Sequence, residues 1–152
     1  MGKNKGKFKG GGAWIPRDLY TSRAYLSLSG FAPQLLILFY GKRDMKQVKG
    51  KWLCKNVLQL TMTYAELENI FGRCKGEPLG SEQKGITRPR IIRAINDLLA
   101  KGFIEIIHQG GAFQKDKSIY ALSENWRIWS PGVVFNTRKK DTRTRGFRKP
   151  QK

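Results

Sequence analysis

The chain has few residues of the kinds that bind metals, form disulfides or cross membranes. Its 152 residues include two cysteines, Cys54 and Cys74, and one histidine, His108. A structural zinc site requires three or four such ligands at close spacing, so we expect no metal site and two reduced thiols. The longest apolar run, residues 35–40, is far too short to span a bilayer, and the lysine- and glycine-rich N-terminus is unlike a signal peptide. The sequence therefore predicts a cytoplasmic protein that makes no membrane contact.

Motifs of the common enzyme classes are also missing from the sequence. It contains no P-loop, no dinucleotide-binding glycine pattern after a strand, no nucleophile elbow and no plausible pair of catalytic carboxylates. The glycines at 10–12 lack the flanking strand and helix that a phosphate-binding loop needs. His108 ends a predicted strand and is interpreted as structural. We expect a protein that is not an enzyme and uses no cofactor.

Positive charge is what the sequence has in excess. Lysine and arginine number 30 against 11 acidic residues, which gives a net charge of +19. This exceeds what solubility needs and indicates a polyanionic partner. Residues 1–12 contribute +4 and residues 138–152 contribute +7, which leaves +8 for residues 13–137. The composition therefore predicts one folded domain at 13–137 between two disordered basic tails, 1–12 and 138–152.

Apolar periodicity predicts an α+β fold that is mainly helical. Helices are expected over 22–29, 31–43, 63–71 and 87–101. Strands are expected within 57–61, over 103–108 and 118–122, and finally at 133–135. The lysine-rich segment 42–51 is interpreted as a basic loop.

Local signals mark the ends of the two helices that matter most. Thr63 and Glu66 match a capping box at the start of one helix. Thr87 is expected to cap the other, with Pro89 in its first turn and Gly102 as its stop. The residues expected inside the protein are Ala24, Leu26, Leu28, Leu35, Leu36, Phe39, Leu67, Ile70, Phe71, Ile91, Ile92, Ile95, Leu98 and Leu99, together with Trp52, Trp126 and Trp129.

This order of elements, followed by LLAKGFIEIIHQGG and KSIYALSENW, resembles the winged helix-turn-helix domain with a C-terminal β-hairpin wing. Residues 63–71 resemble its positioning helix and residues 87–101 its recognition helix. Over 31–127 the chain is most similar to the DNA-binding domains of phage and plasmid replication proteins. One departure is the link between the two helices, which has about 13 residues where a simple helix-turn-helix has three or four.

The resemblance implies a DNA-binding surface. In this family the N-terminal half of the recognition helix enters the major groove, so we expect Arg90 and Arg93 to contact bases. Lys84, Thr87 and Arg88 are expected on the phosphate backbone. The wing tip adds Lys115 and Lys117, and the C-terminal tail adds Arg138, Lys139, Lys140, Arg143 and Arg145, which bind phosphates or fold on RNA.

Several functions remain open at this point. The expected partner is double-stranded DNA, in replication initiation or its control on a phage, plasmid or other mobile element, with a nucleoid-associated location. A winged helix transcriptional regulator would use the same residues. A structural RNA-binding protein fits the basic tails, and a protein-interaction winged helix is a further alternative. Residues 22–43 are a candidate homodimer surface.

Overall fold

A computed structural model describes residues 12–72, 85–111 and 116–139. Within these ranges the α-helices are α1 (Arg17–Tyr20), α2 (Arg23–Leu26), α3 (Ala32–Gly41), α4 (Tyr64–Phe71) and α5 (Arg88–Ala100). The strands are β1 (Met45–Val48), β2 (Lys51–Cys54), β3 (Leu60–Thr61), β4 (Ile104–His108) and β5 (Ile119–Leu122), and a 3-10 helix covers Asn125–Ile128. The α+β class is confirmed.

The core lies between α3, α5 and a three-stranded sheet. Buried leucine, isoleucine and phenylalanine side chains of both helices meet there: Leu35, Leu36, Phe39, Ile91, Ile95, Leu98 and Leu99. The Phe39 ring meets the Tyr120 ring of β5 edge to face at 5.4 Å between centroids. Phe103 stacks on Trp126, which closes the end of the core beyond α5. The apolar faces predicted for α3 and α5 therefore build most of the interior.

The sheet is antiparallel with strand order β3-β5-β4. Leu60 pairs with Tyr120 and Ile104 pairs with Leu122, so the centre strand β5 is held on both sides. The pairing of β4 with β5 shifts by one residue between Ile106 and His108, which is the mark of a β-bulge. The two strands predicted at 103–108 and 118–122 are confirmed as one hairpin.

A second hairpin replaces the basic loop predicted at 42–51. Strands β1 and β2 pair antiparallel, with Val48 opposite Lys51. The connecting residues Lys49 and Gly50 both have positive φ, 48° and 78°, as a type I′ turn requires. The prediction was wrong because Lys-Gly is a weaker turn signal than Asn-Gly, and the lysines hide the strand pattern.

Other expectations differ from the structure in identifiable ways. Leu26, Trp52 and Ile70 lie mostly in solvent, although they were expected inside, and Ile92 is 37% exposed. Trp126 is buried and Trp129 partly buried, as predicted. Residues 133–135 form no strand; the Phe135 amide instead donates to the Ala100 carbonyl at 3.0 Å. Short helix α1 was not predicted. In the described part of the chain no helix has the length and apolar character needed to cross a bilayer.

Candidate nucleic-acid interface

One face of α5 is open and carries arginine. Arg90 and Arg93 are one turn apart and both are exposed. Their guanidinium groups have no hydrogen bond or ion pair with any residue that the structure describes. Because Ile91 and Ile95 anchor the opposite face in the core, the arginines project from a firmly held helix. Within the described part of the chain, therefore, no partner occupies the two side chains that were predicted to contact bases.

The same open face also carries Asn96, which was not among the contact residues predicted from the sequence. Asn96 lies three residues after Arg93 and is exposed, and Ile92, four residues before Asn96, is exposed as well. An asparagine amide can bond adenine in a bidentate way, and an apolar side chain can contact a thymine methyl. The spacing of three residues from Arg93 was the signal that could have identified Asn96.

The Arg88 side chain contacts two residues of α4. Its Nε lies 3.3 Å from Glu68 Oε1, and its guanidinium carbon lies 5.8 Å from the centroid of the Tyr64 ring. The side chain is still 67% exposed, so it links the two helices while one side remains in solvent. Thr87 occupies the N-cap position with extended backbone, but its side chain makes no capping hydrogen bond, unlike Thr63, whose Oγ1 accepts from the Glu66 amide at 3.2 Å.

A backbone hydrogen bond joins the two residues nearest to the ends of the long link between α4 and α5. The Ile86 amide donates to the Gly72 carbonyl at 2.9 Å, and Ile86 is buried. This bond brings the end of α4 close to the start of α5. Residues 73–84, and with them the predicted contact Lys84, lie outside the described residues.

The β4–β5 connection is organised by Asp116. Its carboxylate accepts from the Gly111 amide at 2.6 Å and lies 2.6 Å from His108 Nε2. The hydrogen bond from His108, with the one from Gly111, lowers the pKa of Asp116. A Cβ at Gly110 would lie 2.6 Å from the Asp116 carbonyl oxygen, so this position has room only for glycine. Lys117 follows and is exposed, whereas Lys115 lies outside the described residues.

Arg138 is a structural contact and does not begin a disordered tail. Its Nη2 donates to the Tyr120 hydroxyl at 2.7 Å and its Nη1 to the Tyr64 hydroxyl at 3.3 Å. Burial lowers the pKa of the guanidinium, but the hydrogen bonds and partial charges of the two tyrosines outweigh this and raise it overall. Arg138 thereby links α4, through Tyr64, to strand β5, through Tyr120. The sequence could not show these two partners, because both are distant along the chain, and a contact of Arg138 with phosphate stays a prediction.

Lys139 is also held, through its backbone. Its amide donates to Gln109 Oε1 at 3.0 Å, and its carbonyl accepts from Gln109 Nε2 at 2.9 Å. The side chain remains exposed. Residues 138 and 139, which were predicted as the start of the C-terminal tail, are therefore both held by hydrogen bonds. The predicted contacts Lys140, Arg143 and Arg145 lie outside the described residues, as do residues 1–11 of the other tail.

Five of the polar or charged side chains described above are exposed, four on α5 and one before β5: Arg88, Arg90, Arg93, Asn96 and Lys117. No cluster of three or more histidine, cysteine or acidic side chains able to hold a metal occurs among the described residues. Comparisons with protein-family models, curated proteins and solved structures give no match to this chain.

Proposed function

We propose that this protein binds double-stranded DNA, with the N-terminal half of α5 in the major groove and the β4–β5 loop against the phosphate backbone. The observation that carries the proposal is the open face of α5. Arg90 and Arg93 are exposed there without a partner among the described residues, on a helix whose other face is buried. Arginine in this position can bond guanine O6 and N7 together.

The connectivity also supports the proposal. Helix α3, strand β3, helices α4 and α5 and the β4–β5 hairpin occur along the chain in the order that the resemblance to winged helix domains implies, and β3 pairs with β5. The β1–β2 hairpin, which lies between α3 and β3, is an addition to that order. The hydrogen bond between Ile86 and Gly72, which flank residues 73–84, is compatible with the two neighbouring helices of such domains.

The net charge of +19 supplies the non-specific part of the affinity. A role in replication initiation on a phage or plasmid rests on the resemblance of residues 31–127, and a regulator of transcription would use the same surface. Either role would place the protein on the nucleoid in the cytoplasm.

Base contacts can be tested by selecting duplexes from a random pool and measuring binding to the selected duplex and to a scrambled one. Arg90→Ala and Arg93→Ala should each lower the ratio of the two affinities roughly 5- to 140-fold, from about 1–3 kcal/mol per bidentate contact. Arg23→Ala is the matched control, because Arg23 is an exposed arginine on α2. Loss of affinity without loss of the ratio in the α5 variants would refute the assignment.

Removal of residues 140–152 separates the contribution of the C-terminal tail from that of α5. This segment has six basic residues and one acidic residue, so its removal should reduce the dependence of affinity on salt concentration. The preference for the selected duplex should persist. Tighter binding to structured RNA than to any duplex at the same salt concentration would instead favour a ribonucleoprotein.

A further inference from the structure

A cleft of about 640 Å³ lies between the β1–β2 hairpin and the end of α3. It is lined by Gly12, Trp14, Tyr40, Arg43, Met45 and Trp52. Three of these are aromatic and one is an arginine. None of them belongs to the open face of α5, so the cleft is a site separate from the proposed duplex interface.

Two tryptophans of the cleft are unusually exposed for their size. Trp14 is 71% exposed and Trp52 is 64% exposed, whereas Trp126 in the core is 4% exposed. The pairing of Gln47 with Trp52 and of Met45 with Cys54 places Met45 and Trp52 on the same face of the hairpin. An indole left in water on a wall of a cleft costs stability that a ligand can recover.

The cleft is held in shape by polar contacts at its base. The Asn56 side chain accepts from the Asp44 amide at 2.7 Å and donates to the Lys42 carbonyl at 2.9 Å, which ties the two ends of the hairpin together. The Arg43 guanidinium lies 4.4 Å from the centroid of the Tyr40 ring and donates to the Trp14 carbonyl. Arg43 therefore connects the end of α3 to the segment that carries Trp14.

The surroundings of the cleft are positively charged. Residues 42–55 contain six basic residues and one acidic residue. Four exposed lysines lie on the hairpin or next to it: Lys46, Lys49, Lys51 and Lys55. Exposed aromatic rings within a basic surface are the combination that binds single strands, because bases stack on the rings while the cations contact phosphates. An acidic peptide would satisfy the charge but leave the flat indole faces without a matching partner.

We propose that this cleft binds unpaired nucleotides of a single-stranded nucleic acid. The bases stack on Trp14 and Trp52, and Arg43 and the hairpin lysines contact the backbone phosphates. The site is independent of the duplex interface on α5, so the protein could hold a duplex and a neighbouring single strand together.

The test uses the full chain and three oligomers of about 12 nucleotides: oligothymidine, oligouridine and an abasic strand of the same length and charge. Trp14→Ala and Trp52→Ala should each weaken binding to at least one of the first two strands roughly 5- to 140-fold, from about 1–3 kcal/mol per stacked base. Binding to the abasic strand should change much less. Trp52→Phe, which keeps a ring, should restore part of the affinity.

Tyr20→Ala is the matched control, because Tyr20 is exposed and aromatic but does not line the cleft. It should leave all three affinities unchanged. A stronger effect on oligothymidine favours DNA and a stronger effect on oligouridine favours RNA, and oligodeoxyuridine, which differs from oligouridine only in its sugar, shows whether the sugar is the cause. The proposal is overturned if the tryptophan variants bind both base-bearing strands like the unmodified protein, or lose the abasic strand to the same degree. Duplex binding by Trp52→Ala should be retained, so failure here is distinguishable from failure of the α5 assignment.

Discussion

Replacement of Gly102 by alanine should lower the free energy of unfolding by about 2–5 kcal/mol. Gly102 follows α5 with φ of 76°, a left-handed conformation that costs an L-residue about 1–2 kcal/mol. An added Cβ would also lie 2.6 Å from Asn125 Cβ and 2.8 Å from a ring carbon of Phe135. Hydrogen bonds hold both neighbours, from the Asn125 amide group to Glu105 and from the Phe135 backbone amide to the Ala100 carbonyl, so the clash adds about 1–3 kcal/mol of overpacking.

The two costs can be separated with Gly30→Ala. Gly30 also has positive φ, 56°, but a Cβ there would meet nothing within 4 Å. Both variants reduce the freedom of the unfolded chain in the same way, so that effect cancels when they are compared. The difference between them, about 1–3 kcal/mol, therefore measures the overpacking at Gly102.

Urea unfolding of the two variants and of the unmodified protein, followed by circular dichroism, gives the three free energies of unfolding. The slope of each transition should be unchanged, because the folded state buries the same surface. Equal destabilisation by Gly102→Ala and Gly30→Ala would refute the reasoning, since it would mean that Asn125 and Phe135 move aside without cost.

Two further predictions concern the β4–β5 hairpin and its link to α4. Arg138→Met should lower the free energy of unfolding by about 1–3 kcal/mol, because the Tyr64 and Tyr120 hydroxyls lose their donor, and urea unfolding measures the change. Asp116→Asn should destabilise the protein at neutral pH and progressively less in acid, because the pKa of Asp116 is lowered in the folded protein. The stabilisation by the Asp116 carboxylate is present above its ordinary pKa of 3.8 and is lost as the pH falls through the lower pKa of the folded state. Urea unfolding at a series of pH values measures this difference.

The control for Arg138 is its neighbour. Lys139→Met removes the same charge, but Lys139 is held through its backbone, so its stability should change by no more than about 0.5 kcal/mol. Equal losses for both variants would show that charge alone matters there. For Asp116, a difference from the asparagine variant that stays constant down to acid pH would contradict the role assigned to its hydrogen bonds with His108 and Gly111.

Much of the candidate site follows from local sequence. Apolar residues at helical spacing predict α5 and place Ile91, Ile95 and Leu98 inward, which leaves Arg90 and Arg93 outward. Gly102 after the last apolar turn predicts where the helix ends. These features depend on residues within a few positions of one another, so they can be predicted from the sequence.

The partners of Arg138 and the exposure of Trp52 depend on tertiary structure. Arg138 begins a basic segment, which predicts a free tail, yet its partner Tyr64 lies 74 positions away. Trp52 has the composition of a core residue, but the unexpected β1–β2 hairpin carries it into solvent beside Trp14. By itself the sequence determined which segments form helices and where they stop, because backbone propensity and apolar period act locally. Which charged and aromatic side chains are left exposed depends on how distant segments pack, and only the folded chain brings those segments together.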